Sequence, residues 1–247
     1  MVSFFFLTFA QKKYDMTRNV AVVLAGGVGK RLGSALPKQF LKVAGKMVIE
    51  HAVDAFEQHP LIDEITIVSN VQYLSDMENI TQRNGWKKVK KILKGGKERY
   101  DSSLSAIYAY EHEDVNLIFH DAARPLVTSR IIDDITQALN RYDAVTVALP
   151  SADTIIEVEG DFISNIPDRS RLRRVQTPQA FKLATIRKAY DNALKDPDFK
   201  VTDDCGVVRR YLPDTPIYVV EGEECNMKLT YKEDTEILET YVRLRKT

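Results

Sequence analysis

The chain contains little cysteine and carries no net charge, and each shortage excludes a class of protein. Two cysteines occur in 247 residues, Cys205 and Cys225, which is too few for a disulfide framework or a zinc pattern. We expect both to be free thiols in a reducing cytoplasm. Basic and acidic residues number 35 each. A neutral chain gives no electrostatic reason to expect nucleic acid or an anionic membrane as the main partner.

Long apolar runs are also missing. Residues 2–10 are apolar and contain three consecutive phenylalanines, but this run is too short to span a membrane. A signal peptide carries basic residues before its apolar run, and none precedes this run. We expect residues 1–17 to be a disordered tail or a misassigned start, with a cleaved export signal as the alternative. Residues 18–247 then form a single domain without repeats or a long linker.

Strand-like and helix-like segments alternate along the first 150 residues. The predicted strands are 20–24, 65–69, 88–93, 117–120 and 144–149, and the predicted helices are 48–58, 71–83, 100–112 and 129–141. This alternation predicts an α/β, Rossmann-like three-layer fold with a mainly parallel mixed sheet. The α/β pattern resumes with helices at 183–194 and 202–211, a strand at 217–220 and a last helix from Lys232.

The alternation is interrupted after Pro150. Short β-branched runs there flank Glu159-Gly160-Asp161, a pattern that predicts a β-hairpin. We expect a projecting arm at about 151–170 that packs on a second subunit, and therefore a homodimer.

The most informative segment follows the first predicted strand. It contains three glycines and three cations, Gly26, Gly27, Gly29, Lys30, Arg31 and Lys38. Glycines let the backbone approach a ligand, and cations hold phosphate. The segment has neither the Gly-Lys-Ser/Thr of an ATP-type P-loop nor the Gly-x-Gly-x-x-Gly spacing of a dinucleotide site. It predicts a different cradle for a triphosphate.

Six motifs occur in a fixed order. They are LAGGVGKRLG (24–33), PKQ (37–39), GGKERYDS (95–102), HDAARP (120–125), QTPQ (176–179) and NMKLT (226–230). Over residues 18–243 the set resembles the cytidylyltransferase family that includes the 2-C-methyl-D-erythritol 4-phosphate and ribitol-5-phosphate enzymes. The resemblance implies transfer of CMP from CTP to a polyol phosphate, with release of pyrophosphate and with Mg²⁺ or another divalent cation as cofactor.

The resemblance also implies roles for individual residues. The catalytic cations are Arg31, Lys38 and Lys228. The CTP-binding residues are Leu24, Ala25, Gly26, Gly27, Gly29, Lys30, Gly95, Gly96, Ser102 and Asp121. The acceptor-binding residues are Asp121, Arg124, Thr154, Arg169 and Thr177, of which Thr154 and Arg169 serve the neighbouring subunit from the arm. Asp121 is also the candidate ligand for Mg²⁺, the alternative being a structural pair with Arg124.

The acceptor stays open between two polyol phosphates. The LAGG opening and the IPDR context at 166–169 favour ribitol 5-phosphate and hence teichoic acid or capsule synthesis. HDAARP favours methylerythritol phosphate and hence isoprenoid precursor synthesis. Lys97 replaces the acidic residue common in the methylerythritol enzymes. Ribitol 5-phosphate is preferred by a small margin.

The sequence leaves three other interpretations to compare with this reaction: a different transferase, a binding module and a nucleic-acid-binding protein. One is another nucleotidyltransferase acting on a sugar phosphate, and a second is a CTP-binding module without enzymatic activity. Residues 86–94 carry a lysine-rich run that suggests nucleic acid, but the absence of a recognised module favours a solvated edge strand.

Overall fold

A seven-stranded sheet forms the centre of the computed structural model, which describes residues 17–27 and 36–245. The strands in chain order are β1 (Arg18–Ala25), β2 (Lys42–Val43), β3 (Lys46–Met47), β4 (Glu64–Ser69), β5 (Val89–Lys94), β6 (Val115–Asp121), β7 (Ala144–Pro150), β8 (Glu157–Glu159), β9 (Phe162–Asn165), β10 (Arg173–Lys182) and β11 (Ile217–Glu221). The α-helices are α1 (Val48–Glu57), α2 (Leu74–Asn84), α3 (Arg99–Ala109), α4 (Ser129–Ala138), α5 (Leu183–Ala193), α6 (Asp204–Tyr211) and α7 (Asp234–Leu244). The predicted amino-terminal tail covers residues 1–17, and residues 1–16 lie outside the described ranges.

The strand order in the large sheet is β11-β7-β10-β6-β1-β4-β5. Strand β1 pairs in parallel with both β4 and β6, whereas β10 is antiparallel to its two neighbours. The register places Leu24 opposite Asp121. The carboxyl ends of β1 and β6 therefore meet at one edge of the sheet, where parallel α/β sheets bind their ligands.

Helices cover both faces of the sheet, which confirms the predicted three-layer α/β fold. Val53 of α1 joins Met77 of α2 and Ile135 of α4 in the core on one face. Ile107 of α3 joins Tyr190 of α5 and others in the core on the opposite face. Because β1 is buried on both faces, it reads as a continuous apolar run rather than an alternating one.

The predicted hairpin is formed by β8 and β9, which form a separate two-stranded sheet among the described strands. Gly160 has φ +60° at the turn, a left-handed conformation that glycine adopts without steric cost. Val158 and Phe162 are 61% and 80% exposed. The arm thus presents apolar side chains to solvent in the isolated chain.

Strand β10, the antiparallel strand that contains the QTPQ motif, was not predicted from the sequence. Its register shifts between Gln176 and Gln179, and the Thr177–Pro178 peptide bond is cis. Proline within a run normally argues against a strand, which explains the omission. Predicted helix 71–83 begins as a 3₁₀ turn, Val71–Tyr73, before α2.

Two other expectations are confirmed by the described residues. Strand β5, which carries the lysine-rich run, lies at the edge of the sheet. Cys205 and Cys225 are both free. In the part of the chain that the structure describes, no helix has the length and apolar character needed to cross a membrane.

Candidate active site

A cleft of about 290 Å³ opens at the carboxyl ends of β1 and β6. Residues from five segments of the chain line it: Leu24, Ala25, Gly26, Gly27, Lys38, Gln39, Gly96, Lys97, Glu98, Arg99, Ser102, Asp121, Ala122, Ala123 and Lys228. These segments contain every motif of the sequence analysis except QTPQ. Motifs that are far apart in the sequence therefore meet at one edge of the sheet.

The glycines of the cleft allow two loops to meet at Ser102, which is 4% exposed. A Cβ atom on Gly95 would lie 2.6 Å from Ser102 Oγ and 3.3 Å from the Ser69 carbonyl oxygen. A Cβ atom on Gly26 would lie 3.3 Å from the same hydroxyl. At Gly27 no atom of the described residues lies within 4 Å of such an atom. Packing therefore excludes a side chain at Gly95 and makes one at Gly26 tight, whereas none of the described residues crowds Gly27.

Asp121 is the electrostatic centre of the cleft. Its Oδ2 accepts from Lys228 Nζ at 2.6 Å, and its Oδ1 lies 3.4 Å from Arg99 Nε. Burial by itself raises the pKa of a carboxyl group, but Arg99 and Lys228 outweigh burial and hold the pKa of Asp121 far below its usual range. The carboxylate is therefore ionised at neutral pH.

Arg124, the alternative partner of Asp121, acts on it through charge and lowers its pKa less than Arg99 and Lys228 do. The Arg124 guanidinium donates instead to the carbonyl oxygens of Asn226, at 2.8 Å, and Val175, at 3.4 Å. The hydrogen-bonded cations of Asp121 are Arg99 and Lys228.

Arg99 was quoted within a motif but given no role by the sequence analysis. It is the first residue of α3, and its guanidinium bridges Asp121 to Asp204 Oδ2, which lies 2.7 Å from NH1. Burial opposes the charge of Arg99, yet Asp204 and Asp121 raise its pKa above the usual range. In the sequence, the position of Arg99 close to Gly95 and Gly96 was the one signal of a role in the site. Its partner Asp204 is more than a hundred positions away, so the ion pair could not be predicted.

Lys38 lines the cleft next to the NMKLT segment. It is 9% exposed, and its Nζ donates to the carbonyl oxygens of Leu229 at 3.1 Å and Thr230 at 3.3 Å. The neighbouring Gln39 donates to the Ala25 carbonyl oxygen at 2.8 Å. These bonds join the PKQ and NMKLT segments to the glycine loop, so Lys38 and Lys228 converge on the same cleft.

The predicted acceptor residues fall into two groups. Thr177 is buried beneath the cleft, and its hydroxyl accepts from the Asp121 backbone N–H at 3.1 Å. Thr154 and Arg169 do not line the cleft formed by residues 17–27 and 36–245 of their own chain. Arg169 donates to the Ala152 carbonyl oxygen at 3.1 Å and borders a separate hollow at the base of the arm. The predicted residues Gly29, Lys30 and Arg31 lie outside the described ranges.

Comparison with known proteins identifies the family of the chain. A sequence model described as IspD, 2-C-methyl-D-erythritol 4-phosphate cytidylyltransferase, matches residues 19–244. The enzyme of that name from Thermobifida fusca is 45% identical over 240 residues, which cover 94% of this chain and 96% of that protein. The solved structure of 4-diphosphocytidyl-2C-methyl-D-erythritol synthase from Anaerococcus prevotii has a TM-score of 0.81 and 27% identity, covering 92% of this chain and 96% of that chain.

A second relative carries a different name. The bifunctional ribulose 5-phosphate reductase/CDP-ribitol pyrophosphorylase Bcs1 of Haemophilus influenzae is 45% identical over 220 residues, covering 87% of this chain and 46% of that protein. Both relatives are named for cytidylyl transfer to a polyol phosphate or for its CDP-polyol product. The chain belongs to the 2-C-methyl-D-erythritol 4-phosphate cytidylyltransferase family and is a CTP-dependent nucleotidyltransferase.

Proposed function

We propose that this enzyme transfers CMP from CTP to ribitol 5-phosphate, with methylerythritol 4-phosphate as the alternative acceptor. The observation that supports cytidylyl transfer in this cleft is that Lys38, Arg99 and Lys228 all line it beside the glycine loop, with Arg99 and Lys228 bonded to the Asp121 carboxylate. Cations placed around a phosphate site stabilise the negative charge that develops in phosphoryl transfer.

The chemical step needs positioning more than proton transfer. An oxygen of the acceptor phosphate attacks the α-phosphorus of CTP and forms a new P–O bond. The bond from that phosphorus to the oxygen bridging to the β-phosphate breaks, and pyrophosphate leaves. Because the attacking oxygen is already anionic at neutral pH, no strong general base is required. In this proposal Lys38 and Lys228, with Arg31, neutralise charge on the α-phosphate and on the departing pyrophosphate.

We propose that CTP binds along the glycine loops. Backbone N–H groups near Gly26 and Gly27 would face the triphosphate, and Gly95, Gly96 and Ser102 would hold the nucleoside, as the family resemblance implies. Ser102 is fixed between the two loops, so the nucleoside pocket is formed before the ligand arrives. A pocket that is already formed lowers the conformational cost of binding.

Mg²⁺ fits this cleft as a companion of CTP. Among the described residues, no group of three or more His, Cys, Asp or Glu side chains is placed to hold a metal ion. Asp121 offers one carboxylate, and Mg²⁺ is commonly held by one or two carboxylates together with substrate phosphates. Bound there, the ion would supply neutralisation of the triphosphate charge. Loss of turnover in a chelator and its recovery with added Mg²⁺ test this assignment.

The preference for ribitol 5-phosphate rests on the sequence at the site and on one relative. Lys97 lines the cleft at the position where the methylerythritol enzymes commonly have an acidic residue. The Haemophilus influenzae relative is named for a CDP-ribitol product, whereas the Thermobifida fusca relative, equally identical in sequence, is named for methylerythritol 4-phosphate. Because the two relatives are equally identical to this chain, methylerythritol 4-phosphate is kept as the alternative acceptor.

We also propose a cytoplasmic homodimer formed through the arm. The exposed Val158, Phe162 and Ile163 give the arm an apolar surface suited to burial on a second copy. Thr154 and Arg169 lie near this arm and away from their own cleft, so a dimer would bring them to the neighbouring site. Arg169 would then hold the acceptor phosphate.

Pyrophosphate release tests the proposed reaction. The purified enzyme is given CTP, UTP, GTP or ATP with Mg²⁺, and each nucleotide is paired with ribitol 5-phosphate or methylerythritol 4-phosphate. Release with CTP and ribitol 5-phosphate alone is expected. Release with methylerythritol 4-phosphate alone would contradict the acceptor but keep the reaction class. Turnover with another nucleotide in place of CTP would contradict cytidylyl transfer, and CTP binding without release would support a binding module.

A further inference from the structure

Four residues beneath the cleft form a closed ring of hydrogen bonds. His120 Nε2 lies 2.9 Å from the Arg124 carbonyl oxygen, and Arg124 NH1 donates to the Asn226 carbonyl oxygen at 2.8 Å. Asn226 Nδ2 donates to the Thr177 carbonyl oxygen at 2.8 Å. The ring closes where Thr177 Oγ1 lies 3.1 Å from His120 Nδ1. We call these four residues the His120 ring.

The partners in the ring determine the direction of each bond. A carbonyl oxygen only accepts, so His120 must carry a proton on Nε2 to bond to Arg124. The Thr177 hydroxyl accepts from the Asp121 backbone N–H, and its own proton is therefore free to point at His120 Nδ1. His120 is 0% exposed, and neutral imidazole protonated on Nε2 satisfies both ring nitrogens without a buried charge.

The ring joins the segment of Asp121 to the segment of Lys228, and both to strand β10 beneath the cleft. His120 directly precedes Asp121, and Asn226 lies two residues before Lys228. A further bond from the Leu229 N–H to the Ala123 carbonyl oxygen, 2.8 Å long, holds the same two segments together. The 2.6 Å pair of Asp121 and Lys228 thus lies directly above a network that fixes both of its backbones.

We infer that His120 is a positioning residue, which acts through the His120 ring to hold Asp121 and Lys228 at their separation for the transfer step. This inference rests on the proposed function of the cleft. His120 has no place among the cleft-lining residues of the described chain and contacts the edge of the Phe56 ring on its far side. Its contribution is therefore geometric, and misplacement of reacting groups by about 1 Å costs on the order of 100-fold in rate.

Replacement of the imidazole by an apolar ring of similar size tests the inference. His120→Phe keeps an aromatic ring against Phe56 but removes both hydrogen bonds. We expect kcat to fall by about 10- to 100-fold while the KM for CTP changes by less than about 3-fold, a small binding difference, because the glycine loops and Ser102 lie outside the ring. His120→Asn retains an acceptor for the Thr177 hydroxyl, and we expect it to recover part of kcat.

His59→Phe is the matched control, because His59 is also buried, at 4% exposure, but lies outside the cleft. Its nitrogen Nδ1 accepts from the Leu61 backbone N–H at 3.3 Å. We expect it to lose stability as His120→Phe does and to keep kcat. An unchanged kcat in His120→Phe, or an equal loss in both variants, would overturn the positioning role.

A kinetic double-mutant cycle with Asn226→Ala tests the ring as a unit. If both residues act through the same ring, the combined loss in kcat falls well short of the product of the two single losses. Losses that multiply in full would show independent effects and would contradict the ring.

Nitrogen NMR of histidine-labelled enzyme tests the ring without activity. We expect the His120 signals of the neutral form protonated on Nε2, with a slowly exchanging proton. Protonation on Nδ1 instead would overturn the ring even if the enzyme turns over. Conversely, wild-type enzyme that releases no pyrophosphate would defeat the proposed function while leaving this measurement intact.

Discussion

Lys228 Nζ lies 2.6 Å from Asp121 Oδ2, although the two residues come from segments more than a hundred positions apart. The pair places a cation from the NMKLT segment over the carboxyl end of the central sheet. Because Lys228 is 39% exposed on its side chain, its value to the protein lies in charge at the cleft rather than in stability.

Lys228→Ala therefore has its main effect on turnover. We expect kcat to fall by on the order of 100-fold, the scale of losing one preorganised group at a developing charge, with little change in CTP affinity. Steady-state kinetics and CTP titration measure the two quantities. Lys232→Ala, an exposed lysine on the same segment, is the control and should leave both unchanged. A Lys228→Ala enzyme with normal kcat would refute the assigned role.

Gly95→Ala tests the packing of the two loops against Ser102. The added methyl would lie 2.6 Å from Ser102 Oγ, so the hydroxyl or the loop must move. We expect a loss of about 1–3 kcal/mol in the free energy of unfolding and weaker CTP binding. Urea denaturation measures the first, and Ser102→Ala in the same chain should restore part of the stability. Gly27→Ala meets no atom of the described residues within 4 Å and should keep its stability. Equal stability of the two alanine variants would contradict the packing argument.

Arg99→Met tests the ion pair with Asp204. Asp204 is 0% exposed, so removal of Arg99 leaves a buried carboxylate without its hydrogen-bonded cation. The Tyr190 hydroxyl, 2.7 Å from Asp204 Oδ1, remains as a hydrogen-bond donor but carries no charge. We therefore expect a loss of about 3 kcal/mol in the free energy of unfolding, the lower end for a broken buried pair. The double variant Arg99→Met/Asp204→Asn removes the charge and should be more stable than the single variant. If urea denaturation shows a lower free energy of unfolding for the double variant than for the single variant, the Arg99–Asp204 ion pair does not determine the stability lost here.

The pH dependence of stability tests the burial of His120. Burial lowers its pKa from 6.5 to about 4, although the bond to the Arg124 carbonyl oxygen and the negative charge of Asp121 partly oppose the shift. A histidine with a lowered pKa in the folded state contributes stability that is present above pH 6.5 and is lost as the pH falls toward 4. We expect a slope of up to about 1.4 kcal/mol per pH unit in that window.

The histidine responsible can be identified by substitution. Unfolding of the wild type and His120→Phe is measured in a chelator between pH 4 and 7, and the variant should show the shallower slope. Burial also lowers the pKa of His51, so His51→Gln is examined in parallel as the competing source. If the slope persists in His120→Phe and disappears in His51→Gln, the pH dependence of stability arises from His51, which would contradict our account.

A charge on the arm tests the proposed dimer. Phe162 is 80% exposed in the isolated chain, and Phe162→Asp would place a carboxylate in an apolar interface. We expect the wild type to be a dimer and the variant a monomer with much reduced turnover, because Thr154 and Arg169 no longer reach a neighbouring cleft. Light scattering after size-exclusion chromatography measures the mass. A wild-type monomer with full activity would contradict the shared site.

Periodicity and glycine chemistry were sufficient to predict much of this fold from the sequence. The apolar run of β1 and the alternating elements after it predict the parallel sheet, and the glycines after Leu24 predict a ligand at its carboxyl edge. Contacts between residues that are far apart in the sequence could not be predicted in this way. The Arg99–Asp204 pair and the bond from Lys38 to the Leu229 carbonyl oxygen depend on tertiary packing, which no local pattern reports. Strand β10 was hidden by its proline.

Oxygen labelling of the acceptor tests the central claim most directly. The enzyme is given CTP, Mg²⁺ and ribitol 5-phosphate whose terminal phosphate oxygens carry ¹⁸O, with labelled methylerythritol 4-phosphate in parallel, and the products are followed by phosphorus NMR. We predict a CDP-polyol with ¹⁸O in the bridge between its two phosphorus atoms, together with unlabelled pyrophosphate. Formation of CMP without a CDP-polyol, or ¹⁸O in the pyrophosphate, would contradict attack of the acceptor phosphate on the α-phosphorus of CTP.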